Sequence, residues 1–103
     1  MVMSTLLSNA QKRYLRGLAH DLRPIVQVGA KGVTPSLLAE LGLALEQHEL
    51  VKIKVAADDR DTRDAWIAEI AEGTEASLVG RIGHTAVLYR RSEDKPLVIL
   101  PRA

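Results

Sequence analysis

Short β-branched segments alternate with amphipathic helical segments along this chain, and that order leaves few folds open. The clearest strand is residues 50–55, in which three β-branched residues alternate with Lys52 and Lys54, the period-two pattern of a half-buried strand. Leucines recur at helical spacing before this strand, and an Asp-rich stretch opens another helical segment after it. Strands that are separated by helices need crossover connections, which favour parallel pairing.

Local signals place the ends of the other elements. Ser8 and Gln11 have the spacing of a capping box, which predicts a first helix over about residues 9–20 that ends before Arg23-Pro24. Its apolar stripe is predicted to be Tyr14, Leu15, Leu18 and Leu22. Residues 25–28 form a short β-branched strand. Thr34-Pro35 opens a second helix that ends near His48, and the last two strands are predicted at about 76–82 and 85–91, with a turn at Gly83-His84.

The predicted order is therefore α-β-α-β-α-β-β, an α/β fold with a mixed four-stranded sheet and helices packed on it. The 103 residues fall within the usual size of one domain. We expect a single domain over 1–103, with a core of about 6–91 and a C-terminal tail of 92–103. Leu97 to Leu100 either adds a short edge strand or simply docks.

Several function classes find no support in the sequence. The chain has no cysteine, which excludes a disulfide scaffold and a thiolate metal site. His20, His48 and His84 are isolated, with no metal-ligand spacing, and no nucleophile motif is present. We therefore expect no enzyme activity, no metal and no cofactor. No apolar run is long enough to cross a bilayer, so the expected location is cytoplasmic. Nothing in the apolar pattern demands an oligomer, so we expect a monomer.

The net charge of +1 conceals an uneven distribution of charge. Residues 1–33 carry five Lys or Arg and one Asp, for a net charge of +4, whereas residues 58–75 carry seven Asp or Glu and two Arg, for −5. A polyanion would be attracted to the first region and repelled by the second. Two solvated helix faces that differ by chance explain the split equally well, so the motifs must decide.

The loop Gly29-Ala30-Lys31-Gly32 lies between a predicted strand and a predicted helix. Glycines there allow a ligand to approach the backbone, and the N–H groups that begin the helix form an anion site beside the Lys31 charge. Taken alone, a GxxG sequence more often marks a turn. It is neither a P-loop nor a dinucleotide fingerprint.

The first helix supports a phosphate-binding role for this loop. Lys12, Arg13, Arg16 and His20 recur at spacings of three and four, opposite the predicted leucine stripe, and Arg23 follows the helix. Lys52 and Lys54 either extend this basic patch or form an ordinary solvated strand face. Only 3% of residues are aromatic, so contacts with RNA would be mostly to phosphates and sugars rather than by stacking on bases.

Four segments together resemble the CRM domain (chloroplast RNA splicing and ribosome maturation). They are residues 16–20 (RGLAH), 28–34 (VGAKGVT), 48–54 (HELVKIK) and 82–90 (IGHTAVLYR). The length resembles the stand-alone bacterial, YhbY-like members of this family. The resemblance implies a fold similar to the C-terminal domain of translation initiation factor three. It also implies association with ribosomal RNA of the large-subunit precursor, through Gly29, Ala30, Lys31, Gly32 and the basic residues of the first helix.

Two other functions remain open. The acidic third helix would repel RNA but suits a basic protein surface, so the chain is alternatively a module that docks a ribosomal protein or an assembly factor. A small phosphorylated ligand in the GxxG loop is a weaker alternative. DNA and membranes are not expected partners.

Overall fold

The structure, a computed structural model, describes residues 7–29 and 31–91. Its elements follow the predicted order and are, in sequence, α1 (Asn9–Ala19), β1 (Val26–Val28), α2 (Pro35–His48), β2 (Leu50–Val55), α3 (Arg60–Thr74), β3 (Ser77–Ile82) and β4 (Thr85–Tyr89). The predicted ends are within two residues of those observed. The segment Leu97 to Leu100 and Ala30 lie outside the described residues. None of the described helices is long and apolar enough to cross a membrane.

Each helix begins at a side-chain cap that the sequence contains. Ser8 and Gln11 form the predicted capping box, in which each side chain accepts the backbone N–H of the other, at 3.1 and 3.0 Å. Thr34 caps α2. Asp59 caps α3 and accepts hydrogen bonds from the amide and the hydroxyl of Thr62, which lower the pKa of this carboxyl below its usual value of 3.8.

The four strands form one mixed sheet in the order β1-β2-β4-β3. β1 is parallel to β2, as the α2 crossover requires, and the other two pairs are antiparallel. The carboxyl ends of β1 and β2 and the turn between β3 and β4 consequently meet at one end of the sheet, where the Val55 amide donates to the His84 carbonyl at 2.6 Å. We call this the loop end, because the GxxG segment follows β1 there.

The helices pack on both faces of the sheet and divide the core in two. On one face, α2 and α3 bury the larger apolar cluster, which includes Leu41, Leu45, Ile53, Ile67 and Ile70. On the other face, α1 covers a smaller cluster formed by Leu15, Ala19, Leu50, Val79, Val87 and Tyr89. The basic first helix and the acidic third helix therefore lie on opposite sides of the sheet.

The predicted apolar stripe of α1 is wrong in all but one of its members. Leu15 is fully buried, but Tyr14, Leu18 and Leu22 remain 43%, 42% and 39% exposed. The second residue that α1 buries is Ala19, whose small side chain allows the helix to approach the sheet closely. Because the contact line runs through Leu15 and Ala19, one flank of α1 is left apolar and the other flank is left basic.

Candidate nucleic-acid interface

The GxxG loop is closed by its own backbone. The Gly32 amide donates to the Gly29 carbonyl at 3.0 Å, and Gly32 has φ of +69°, a conformation that side chains disfavour. A Cβ at Gly32 would also lie 3.0 Å from Cζ2 of Trp66 on α3. Gly32 is therefore a glycine for reasons of folding.

Gly29 has no such reason in the structure. Its φ is not positive, and a Cβ added to it would meet nothing within 4 Å. The fold would accept a side chain at this position. A glycine there is instead suited to the close approach of a ligand to the backbone.

The start of α2 is a weaker anion site than the sequence indicated. Pro35 has no N–H to offer, and the Leu37 amide already donates to Thr34 Oγ1 at 3.1 Å. Two of the first-turn positions that would bind an anion are thus unsuited to it. If a phosphate binds at the loop, most of the attraction would come from Lys31, which is exposed at the loop end, together with the close approach that Gly29 permits.

Lys52 and Lys54 lie on the same face of β2, as predicted, and it is the face that α1 covers. That cover is incomplete. α1 lies over the end of the sheet that contains Leu50 and Tyr89, whereas the row of paired residues Gln27, Lys54 and Thr85 near the loop end lies beyond it. Lys54 is exposed and Lys52 is half-buried, so both lysines border an open part of the sheet.

A groove of about 580 Å³ separates the basic flank of α1 from this open part of the sheet. Arg16, His20 and Lys52 contribute cationic or ionisable side chains to it, and its other lining residues are Ala19, Pro24, Gly80, Arg81, Ile82, Thr85 and Val87. No pattern in the sequence indicates this groove. Neither Gly80 nor Thr85 belongs to a sequence motif that would indicate a site. The groove exists only because of where α1 crosses the sheet.

Arg16 is held against β3 by a glycine. A Cβ at Gly80 would lie 2.7 Å from Cδ of Arg16, so the aliphatic part of the arginine occupies the space that a side chain would fill. The pairing of β3 with β4 shifts register between Leu78 and Gly80, and such irregularities change the direction of a strand locally. Gly80 and this shift together allow Arg16 to lie along one wall of the groove.

Not every predicted cation faces this groove. Arg23 lines a second, mainly apolar groove on the other side of α1, with Leu18, Leu22 and Ile25 among its lining residues. Arg13 is exposed and Lys12 is half-buried on α1. The structure thus brings Arg16 and Lys52 together at one groove and places Lys54 and Lys31 towards the loop end.

Three arginines elsewhere have partners within the fold. Arg81 forms an ion pair with Asp64 at 2.5 Å, Arg63 Nη1 lies 2.7 Å from Nε2 of His84, and Arg90 donates to two backbone carbonyls. Within residues 7–29 and 31–91, no ion pair involves Lys12, Arg13, Arg16, Lys31, Lys52 or Lys54. We call these six residues the cationic face.

No group of three or more His, Asp or Glu residues is arranged to hold a metal ion among the described residues. Tyr89 is only 1% exposed, and burial raises the pKa of its phenol, with a smaller contribution from the Glu49 carboxylate. A tyrosine this deeply buried cannot stack on a base, whereas Tyr14 on α1 is 43% exposed.

Comparison with known proteins identifies the family. The model of the CRS1/YhbY (CRM) domain matches residues 7–90. The chain belongs to the CRM domain family. An RNA-binding protein of Haemophilus influenzae is 49% identical over 98 residues, covering 95% of this chain and 98% of the relative. The probable RNA-binding protein YqeI of Bacillus subtilis is 36% identical over 96 residues, covering 93% and 100%.

A solved structure confirms the fold of this CRM domain. The solution structure of SAV1595 from Staphylococcus aureus, a hypothetical protein described as a candidate for RNA binding, superposes with a TM-score of 0.81. It is 35% identical and covers 93% of this chain and 100% of its own. The predicted family and the predicted fold, with three helices and a mixed four-stranded sheet, are both confirmed.

Proposed function

We propose that this CRM domain is a non-catalytic RNA-binding protein that holds backbone phosphates on its cationic face. The observation that carries the proposal is the set of six Lys and Arg side chains on the α1 side of the sheet and in the loop, none of them in an ion pair with a described residue. The names of the relatives from Haemophilus influenzae and Bacillus subtilis agree with it. Ribosomal RNA of the large-subunit precursor is the proposed target, and the domain is proposed to bind it as a monomer.

Electrostatics determines how such binding should respond to salt. Each phosphate contact on a single strand contributes about −0.7 to the slope of log K against log salt concentration. If all six residues of the cationic face contact phosphates, the slope should be about −4. Specificity for a sequence would be modest, because contacts to phosphates do not read the bases.

The direct test is a filter-binding titration with a fragment of large-subunit ribosomal RNA at several salt concentrations. Lys31→Glu should weaken binding about tenfold at 0.1 M salt and make the slope shallower by about 0.7, because one phosphate contact is lost. Arg91→Glu is the matched control: the charge change is identical, but exposed Arg91 follows β4 at the opposite end of the sheet from the loop. Equal effects of the two variants would reject the loop as a phosphate site.

A second function is favoured by the placement of α3. Its exposed acidic residues, which include Asp61, Glu69 and Glu72, lie on the face of the sheet opposite α1, where they would not meet RNA bound to the cationic face. We propose this face as an alternative docking surface for a basic protein such as a ribosomal protein. A partner retained by the immobilised domain after nuclease digestion, and lost from Glu69→Lys/Glu72→Lys, would support this function. Complete loss of every partner on digestion would contradict it.

A further inference from the structure

We infer that the groove between α1 and the open part of the sheet binds one unpaired nucleotide of the RNA, with the base inserted between the helix and the sheet. This inference rests on the proposed RNA-binding function and goes beyond it, because it assigns a subsite and a conformation of the ligand. The groove has a volume of about 580 Å³, within the range of about 300 to 1,000 Å³ that is typical of small-molecule sites.

The lining of the groove separates apolar from charged groups. Ala19, Pro24, Val87 and Ile82 contribute apolar surface, while Arg16, Lys52 and His20 contribute polar groups. No Asp or Glu is among the lining residues that the structure describes. An apolar surface beside cations fits a base that is joined to a phosphate, whereas a purely apolar ligand would not need the cations.

Ile82 is the most exposed of the large apolar side chains that the structure describes. It is 83% exposed, yet it lies on the α1 side of the sheet, in register with Thr85 and next to the groove. A base in the groove would cover part of this exposed surface and remove it from water. The hydroxyl of Thr85 lies in the same lining and is able to donate to or accept from the edge of a base.

The conformation of the Arg16 side chain is already restricted before a planar or anionic partner binds. Its aliphatic stem fits into the space above Gly80, which restricts the number of conformations that the side chain can adopt. A guanidinium that is already held in place loses less entropy when it stacks on a base or pairs with a phosphate in a bidentate manner. The backbone of such a strand would continue towards Lys54, about 7 Å from Lys52 along the same face of β2, and then towards Lys31.

A duplex does not fit this geometry. Bases in an RNA helix are stacked and paired, and proteins that read them use unpaired segments whose bases turn outwards. The groove lies between a helix and a sheet, so a base must leave its stack to enter it. The inference therefore predicts a preference for single-stranded RNA over a duplex of the same sequence.

The test uses a 12-nucleotide single-stranded RNA with one central 2-aminopurine, and the same strand hybridised to its complement. Binding of the single strand should raise the 2-aminopurine fluorescence, because the base leaves its stack. Ile82→Ser should weaken single-strand binding about three- to tenfold, through the loss of apolar contact, and should leave the salt slope unchanged because no cation is removed. Leu43→Ser, at a position 61% exposed on α2, is the control and should bind as the wild type does.

A second variant tests the groove without altering Ile82. Gly80→Ala should displace Arg16 from the groove wall and weaken binding of the single strand more than binding of the duplex. If wild type binds both RNAs with a steep salt slope, while Ile82→Ser and Gly80→Ala bind like wild type, the groove is not a nucleotide site and the RNA-binding function stands. If wild type binds neither RNA at low salt, the proposed function itself is wrong and the inference falls with it.

Discussion

Replacement of Gly32 by alanine should lower the free energy of unfolding by about 2 kcal/mol. An alanine with φ of +69° costs about 1 to 2 kcal/mol, and a Cβ at 3.0 Å from the Trp66 ring adds a packing penalty of about 1 to 3 kcal/mol. Reduced freedom of the unfolded chain offsets about 0.4 to 1 kcal/mol of this cost. For a domain of this size, 2 kcal/mol corresponds to a decrease in Tm of about 8 to 16 °C.

The assay is urea unfolding followed by tryptophan fluorescence, because Trp66 is the single tryptophan of the chain and it contacts the substituted position. Gly29→Ala is the matched control in the same loop. Gly29 has no positive φ and no neighbour at the Cβ position, so its free energy of unfolding should change by less than about 0.5 kcal/mol. A loss below about 0.5 kcal/mol for Gly32→Ala would refute the described contact between the loop and Trp66.

The same pair of variants also separates folding from binding. Gly29→Ala should weaken RNA binding although it leaves stability unchanged, because its methyl group would lie where the ligand approaches the backbone. Gly42→Ala, on α2 and likewise without a neighbour within 4 Å, controls for a general effect of alanine. Wild-type affinity in Gly29→Ala would show that the ligand does not approach the backbone at this glycine.

Two further predictions concern stability. Arg90→Met should lower the free energy of unfolding by about 1 to 3 kcal/mol in urea unfolding, because the half-buried guanidinium donates to one carbonyl in each of α2 and α3 at 2.9 and 2.8 Å; an unchanged midpoint would contradict this. Asp59→Ala should lower Tm at pH 7. Hydrogen bonds from Thr62 lower the folded-state pKa of Asp59, so its stabilising effect is present above pH 3.8 and is lost as the pH falls through the lower folded value. Melting curves of wild type and variant should therefore converge in acid, and a constant difference down to pH 2 would be inconsistent with this cap.

Local signals were sufficient to predict the order and the ends of the elements. Ser8, Thr34 and the alternation of Lys52 and Lys54 each specify a conformation through interactions within a few residues. The face that α1 buries was not predictable in this way. A stripe defined by leucines favours the largest apolar side chains, whereas the contact with the sheet also used Ala19 because a small residue permits close packing.

The candidate site was only partly predictable, because its parts are distant in sequence. The GxxG loop and the basic residues of α1 and β2 are visible as motifs and charges. The roles of the two loop glycines differ because Gly32 has a positive φ and because Trp66, 34 residues after Gly32, packs against it. The groove requires Gly80 on β3 to accommodate Arg16 on α1, and nothing in either local sequence specifies that contact.

The sheet separates the basic α1 from the acidic α3, and this separation gives the domain an electric polarity. Near a polyanion, the domain should experience a torque that turns the α1 side forward before any contact forms. Encounters would then be productive from a wider range of starting orientations, and the association rate should decrease as salt screens the field beyond about 10 Å. A small domain on a crowded RNA surface would therefore arrive already oriented, with its acidic side turned outwards.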